Sequence, residues 1–171
     1  MKLLAAIGAL AILLGCAAGA YFFGGFYSVS AMMEDPAPVS WALQRVRHAS
    51  ISHHDAAKPP IAVDDAAVIQ AGAKGFAKFG CANCHGGPGV GWAKFSEGLN
   101  PGPPDLKDVA KAESVSHIFW VVKNGIRMTG MPSFGKAGID DTQLWQIAAF
   151  VKKLPGVSDA DYKAWTANPM Q

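Results

Sequence analysis

The chain has 171 residues, of which 16% are charged and 50% apolar, and its formal net charge is +2. That length suits one domain with appendages, and the charge is no nucleic-acid footprint. The charged share is low and the apolar share high for a purely water-soluble chain.

The apolar excess lies at the N-terminus. From Leu3 to Val29 no residue is charged, and these 27 residues, LLAAIGALAILLGCAAGAYFFGGFYSV, are apolar apart from Ser28. A helix needs roughly 20 residues to cross a bilayer. Lys2 precedes the stretch and Glu34 and Asp35 follow it. A cation before the span and acids after it predict a transmembrane anchor over 1–33, with the N-terminus in the cytoplasm and the remainder outside. Two rivals stand beside a retained anchor. Ala18-Gly19-Ala20 has the form of a signal-peptidase site, and Leu13-Leu14-Gly15-Cys16 resembles a bacterial lipoprotein box. All three deliver the rest of the chain to the same side of the membrane.

Asp35-Pro36-Ala37-Pro38 ends the apolar span. A short helix over 40–47 follows, and Trp41, Arg45 and Arg47 suit a membrane–water interface. The composition then turns to linker over 51–61, so 34–62 reads as interfacial segment plus linker, and 63–171 as the folded domain. His48, His53 and His54 lack a carboxylate or cysteine at helical spacing that would complete a metal set, so they read as exposed linker histidines.

The folded module runs from about Val63 to Met170. Asp64 or Asp65 caps a helix whose broad apolar face carries Val68, Ile69, Gly72, Phe76 and Phe79. The stretch 86–104, with six glycines and four prolines, is loop. Ser114 opens a second helix that stops at Gly125. After another glycine-rich loop, Asp140 with Gln143 three residues on opens a third, striped by Leu144, Ile147, Ala148, Val151 and Leu154. Ser158 with Asp161 caps a last short helix bearing Tyr162 and Trp165. No alternating strand pattern is visible, so the class is all-α. Helices joined by long loops leave a thin core, and something should fill its middle.

Residues 81–85, Cys81-Ala82-Asn83-Cys84-His85, supply the candidate. Cys-x-x-Cys can be a redox disulfide or half a zinc site, but no later cysteine completes a zinc set, and the preceding segment reads as helix rather than strand. The remaining reading is covalent attachment of haem, with Cys81 and Cys84 as thioethers and His85 on the iron. A flat apolar disc would also be the missing core. Met128 and Met131 offer thioethers for the opposite face, and His117 an imidazole. Arg127 is free either to pair with a haem propionate or to face solvent.

From about Val63 onward the chain resembles a small class I c-type cytochrome. A helix leads into Cys-x-x-Cys-His, a loop follows, Met131-Pro132 comes later, and a C-terminal helix closes the order. The resemblance implies a cytochrome c fold around one covalent haem c per chain, with His85 and Met131 as axial ligands. It implies that the Pro88 carbonyl holds the other ring nitrogen of His85. It sets Gly72 and Phe76, where the first helix crosses the last, against residues near Trp145 and Phe150. It also implies a non-enzymatic electron carrier with no small-molecule substrate; together with the expected anchor, this reads as a carrier tethered to a bacterial inner membrane with the haem domain in the periplasm. Such a carrier works between a dehydrogenase or bc-type donor and an oxidase or reductase acceptor. Lys74, Lys78, Lys94, Lys123 and Lys136 would dock it to an acidic partner. Two other readings stay open. One is a fixed haem subunit of a larger membrane oxidoreductase complex; the other is a gas- or peroxide-binding protein with a labile sixth ligand.

Overall fold

The computed structural model describes residues 1–167. Positions 168–171, and with them the end of the expected module at Met170, lie outside the described residues. Among the described residues all regular structure is helical. The chain divides into two compact units, Met1–Glu34 and a second that begins at Asp35.

The first unit is helix α1, Lys2–Phe23, followed by a turn. Its 22 residues are long and apolar enough to cross a membrane, and none of its side chains is buried against protein. Near its end the rings of Tyr21, Phe22 and Tyr27 cluster, with the Phe22 and Tyr27 centroids 5.0 Å apart.

The second unit opens with α2, Ala37–His54, which is longer than the helix expected over 40–47 and takes in the start of the expected linker, positions 51–54. It lies against α6, and Ile51 is buried there. α3 spans Ala66–Lys78, and Asp65 caps it by accepting from the amides of Ala67 (2.7 Å) and Val68 (3.4 Å). α4 is the single turn Cys81–His85. α5, Leu106–Ala112, was not anticipated, although Asp105 stands as its cap and accepts from the Lys107 amide. α6, Val115–Asn124, starts at Ser114, whose hydroxyl accepts from the His117 amide. α7, Asp141–Lys153, starts at Asp140, which accepts from Gln143. α8, Asp159–Thr166, starts at Ser158, which accepts from the Asp161 amide. Each cap side chain satisfies a donor that the first helical turn leaves without an internal partner.

The core forms where α3 crosses α7 and α6 packs on α7. Phe76, Phe150, Leu144 and Ile147 are its largest fully buried side chains, and full burial of each contributes about 1.5–3 kcal/mol. The crossing needs Gly72. A Cβ there would stand 2.0 Å from the Gln146 carbonyl oxygen and 2.8 Å from the Phe150 Cβ. Phe76 then meets Phe150 with ring centroids 5.3 Å apart. Trp145 lies parallel to Phe119 at 3.8 Å, which joins α7 to α6. Lys152 of α7 donates to the carbonyls of Ala110 (2.6 Å) and Glu113 (2.8 Å), and so ties down the end of α5.

Candidate functional site

The motif sits on α4, directly after α3. Gly80, at φ 76°, lets the chain leave α3 and start α4 after only Phe79 and Gly80. Cys81 and Ala82 pack against the core, and both cysteines of the motif are free thiols, partly buried. Burial pushes the Cys81 thiol up to about 12, opposed by a backbone hydrogen bond and aided least by the neighbouring Cys84. The sulfur therefore carries its proton at neutral pH.

His85 ends the turn. Its Nδ1 lies 3.1 Å from the Pro104 carbonyl, and a carbonyl can only accept, so Nδ1 carries the proton. Burial lowers the imidazole below its ordinary 6.5, with the Pro104 bond pulling the other way. A neutral ring with Nδ1 protonated keeps its lone pair on Nε2, the form and orientation that a ligating histidine takes.

This corrects the role expected of Pro88. Pro88 is buried in a tight turn closed by hydrogen bonds between Gly87 and Val90 in both directions. The turn spends its length reversing the chain, and the loop then runs on to bring Pro104 back, 19 residues after His85. A mid-loop return holds the imidazole; the adjacent turn does not. The signal for Pro104 was present in Pro103-Pro104 at the end of the loop, but several prolines there compete for the role.

His85 and Cys84 border a cleft of about 600 Å³ whose walls include Pro88, Val90, Trp92, Leu99, Pro104, Leu106 and Leu154. Clefts that take cofactor-sized molecules hold about 300–1,000 Å³. Two free thiols on one turn, an imidazole with Nε2 available and a cleft of mixed apolar and charged lining beside Cys84 and His85 fit a haem that Cys81, Cys84 and His85 would hold.

Met131 lies on the loop after α6. Gly125 ends that helix at φ 67°, and a Cβ there would stand 2.6 Å from the Pro132 carbonyl carbon. The loop therefore returns hard against its own start. The Ile126 amide donates to the Met131 carbonyl (3.1 Å), the Met131 amide to the Thr129 hydroxyl (3.1 Å), and the Ser133 hydroxyl to the Lys123 carbonyl (2.7 Å). Met131 is partly buried and packs against the same core cluster as Cys81. Its neighbour Gly130 abuts Leu99 of the cleft wall, with 2.9 Å from a built Cβ to Leu99 Cδ2.

The rival ligands are placed differently. Met128 is 85% exposed, at φ 60°. His117 is buried, and its Nδ1 faces Asp55 Oδ2 and Glu113 Oε2, each at 3.2 Å. Arg127 is exposed on the Met131 loop. Of the five lysines, Lys94 pairs with Glu97 (2.6 Å) and Lys123 with Asp141 (2.6 Å), both at the surface.

Tyr162 was not anticipated at the site. A Cβ on Gly87 would lie 3.5 Å from its ring, and one on Gly89 would lie 3.1 Å from the Asp159 Cβ, so α8 covers the turn that follows the motif. Spacing along the chain gives no hint of this, since α8 begins more than a domain's half-length later.

Residues 67–151, from the first turn of α3 to the last of α7, match the family model described as cytochrome c oxidase, cbb3-type, subunit III. No curated protein and no solved structure matches the chain.

Proposed function

Residues 67–151 form a class I c-type cytochrome domain, an electron-transfer module built on haem; from that premise we propose that the chain is a membrane-tethered carrier of single electrons with one covalent haem c. Cys81 and Cys84 hold the macrocycle edge as thioethers. His85, oriented by Pro104, supplies the nitrogen ligand, and Met131, on its clamped loop, supplies the sulfur ligand. Arg127 provides a cation on that loop for a haem carboxylate. Haem bound in this way supplies reversible one-electron exchange, and sulfur ligation raises its potential relative to two imidazoles. With His85 and Met131 both holding its iron, the haem would have no place for a substrate, and the chain would carry electrons without a reaction of its own. The observation that carries the reading is the hydrogen bond from His85 Nδ1 to the Pro104 carbonyl in a cleft that His85 and Cys84 border.

α1 serves as the anchor of a single-pass protein in the bacterial inner membrane, with positions 34–62 leading to a haem domain over 63–171 on the periplasmic side. The partners are redox proteins in or near that membrane, a dehydrogenase or bc-type donor and an oxidase or reductase acceptor. A second reading, a fixed haem subunit of a larger oxidoreductase complex, draws support from the oxidase-subunit description of the matching family. Haem-stained native gels separate the two, because a subunit migrates with its complex and a carrier alone.

The test of the haem site is intact mass after acid–acetone treatment of protein matured in a host that attaches haem. The wild type should retain one haem mass, and the Cys81→Ala/Cys84→Ala double variant none. A wild type that loses its colour in acid–acetone sinks the reading.

A further inference from the structure

The second half of the segment between α1 and the haem domain is packed rather than loose. α2 is 18 residues long and contains three serines, three histidines, two valines and an isoleucine. A helix of such weak formers is marginal when isolated in water. Its last turns are not isolated. Ile51 is 5% exposed, where α2 meets α6. His54 donates from Nδ1 to the Ser50 carbonyl (2.7 Å), and its ring lies 6.0 Å from that of Trp120 on α6, tilted by 30°. Asp55, which ends α2, sets Oδ2 3.2 Å from Nδ1 of His117, 62 residues later.

His117 is the centre of this contact. Its side chain is only 10% exposed, and Glu113 Oε2 approaches the same nitrogen at 3.2 Å from the junction of α5 and α6. Both oxygens are acceptors, so Nδ1 carries a proton and both carboxylates converge on it. Glu113 is itself held, because Lys152 of α7 donates to its carbonyl. A connected chain therefore runs from α7 through Glu113 and His117 to Asp55 and the end of α2. Hydrogen bonds that involve a charged partner and are shielded from water are the stronger kind.

We propose that Asp55, His117 and Glu113 form a latch that makes α2 part of the electron-transfer domain. The tether to α1 is then residues 24–36 alone, 13 residues (37 − 23 − 1 = 13). Fully extended at 3.3–3.6 Å each, they reach at most about 45 Å. With the latch open, α2 and positions 55–62 add to the tether, and the domain ranges further and turns more freely. The latch sets the reach and freedom of the haem domain, and its meaning for function rests on the membrane-tethered reading above.

Amide hydrogen exchange on the full-length holoprotein in nanodiscs tests this. In the wild type, residues 47–54 should exchange slowly. In Asp55→Asn and in His117→Phe, they should exchange about tenfold faster while α3 and α7 keep their protection. Wild-type residues 47–54 that exchange as an unstructured peptide overturn the latch, as does unchanged exchange in both variants. Equal loosening of α3 and α7 in both variants overturns it too, since the contact would then belong to the general core. If His117→Phe alone fails to fold, Asp55→Asn, whose side chain is partly exposed, decides the matter. A colourless protein would remove the carrier reading and still leave the exchange of 47–54 as the measure of the latch.

Discussion

Tyr162 reaches the motif from the last helix. Its ring is 3% exposed and lies 5.7 Å from that of Phe150, with 22° between the planes. Burial first, and then the nearby Cys81, raise the phenol above its ordinary 10.0. Folded Tyr162 therefore keeps its proton at pH values where the unfolded chain has released it. The unfolded state binds fewer protons there, so this residue's contribution to stability is full below pH 10 and falls as pH rises above it. Tyr162→Phe should flatten part of that alkaline loss. Urea midpoints followed by far-ultraviolet circular dichroism at pH 8 and pH 11 check it, and an unchanged slope for the variant contradicts the assignment. Residues differ in how plainly they show in the chain. Cys81, Cys84 and His85 are visible as a motif because their chemistry needs adjacency. Pro104 and Tyr162 are not, because their contacts with the motif depend on how a loop and a helix return in space.

Helix positions follow from local signals. Asp65, Ser114, Asp140 and Ser158 each open a helix where a short polar side chain precedes an apolar period, and all four accept a first-turn amide. α5 carries the same signal at Asp105, with Leu106, Val109 and Ala110 at helical spacing, but seven residues after a proline-rich loop make a weak pattern. Serine and histidine dilute the apolar period of α2, and tertiary contact, not propensity, extends it to His54. At the crossing of α3 and α7 a single methyl group is decisive. Gly72→Ala places Cβ against the Gln146 carbonyl, which belongs to the backbone of α7 and cannot rotate away. Overpacking costs typically about 1–3 kcal/mol, and this substitution should reach the upper end of that range. A denaturant midpoint lowered accordingly is the check; wild-type stability would mean that the helices separate more easily than the contact implies.

At the scale of the whole molecule, one unit is an exposed apolar helix and the other a helical domain with its own core. The exposed apolar surface of α1 includes Leu3, Leu4, Ile7, Leu10, Ile12, Leu13 and Leu14. A surface of that extent needs lipid or another protein to cover it. Deleting residues 2–23, with export supplied by a cleavable leader, should release the haem domain from the membrane fraction with its visible spectrum unchanged. Full-length protein extracted by alkaline carbonate would argue against the anchor.

The amino-acid sequence alone determined the helical class, the order of parts around Cys-x-x-Cys-His, the apolar N-terminal helix and the Gly72–Phe76 face, because periodicity, caps and covalent adjacency are local properties of the chain. Only the tertiary structure decided that Pro104 rather than Pro88 orients His85, that α8 covers the Gly87 turn, and that Asp55 meets His117 so that α2 joins the domain. Those pairings join residues far apart in sequence. They arise when loops close and helices cross, and a carbonyl or carboxylate shows no sign in its own segment of the group that it will meet.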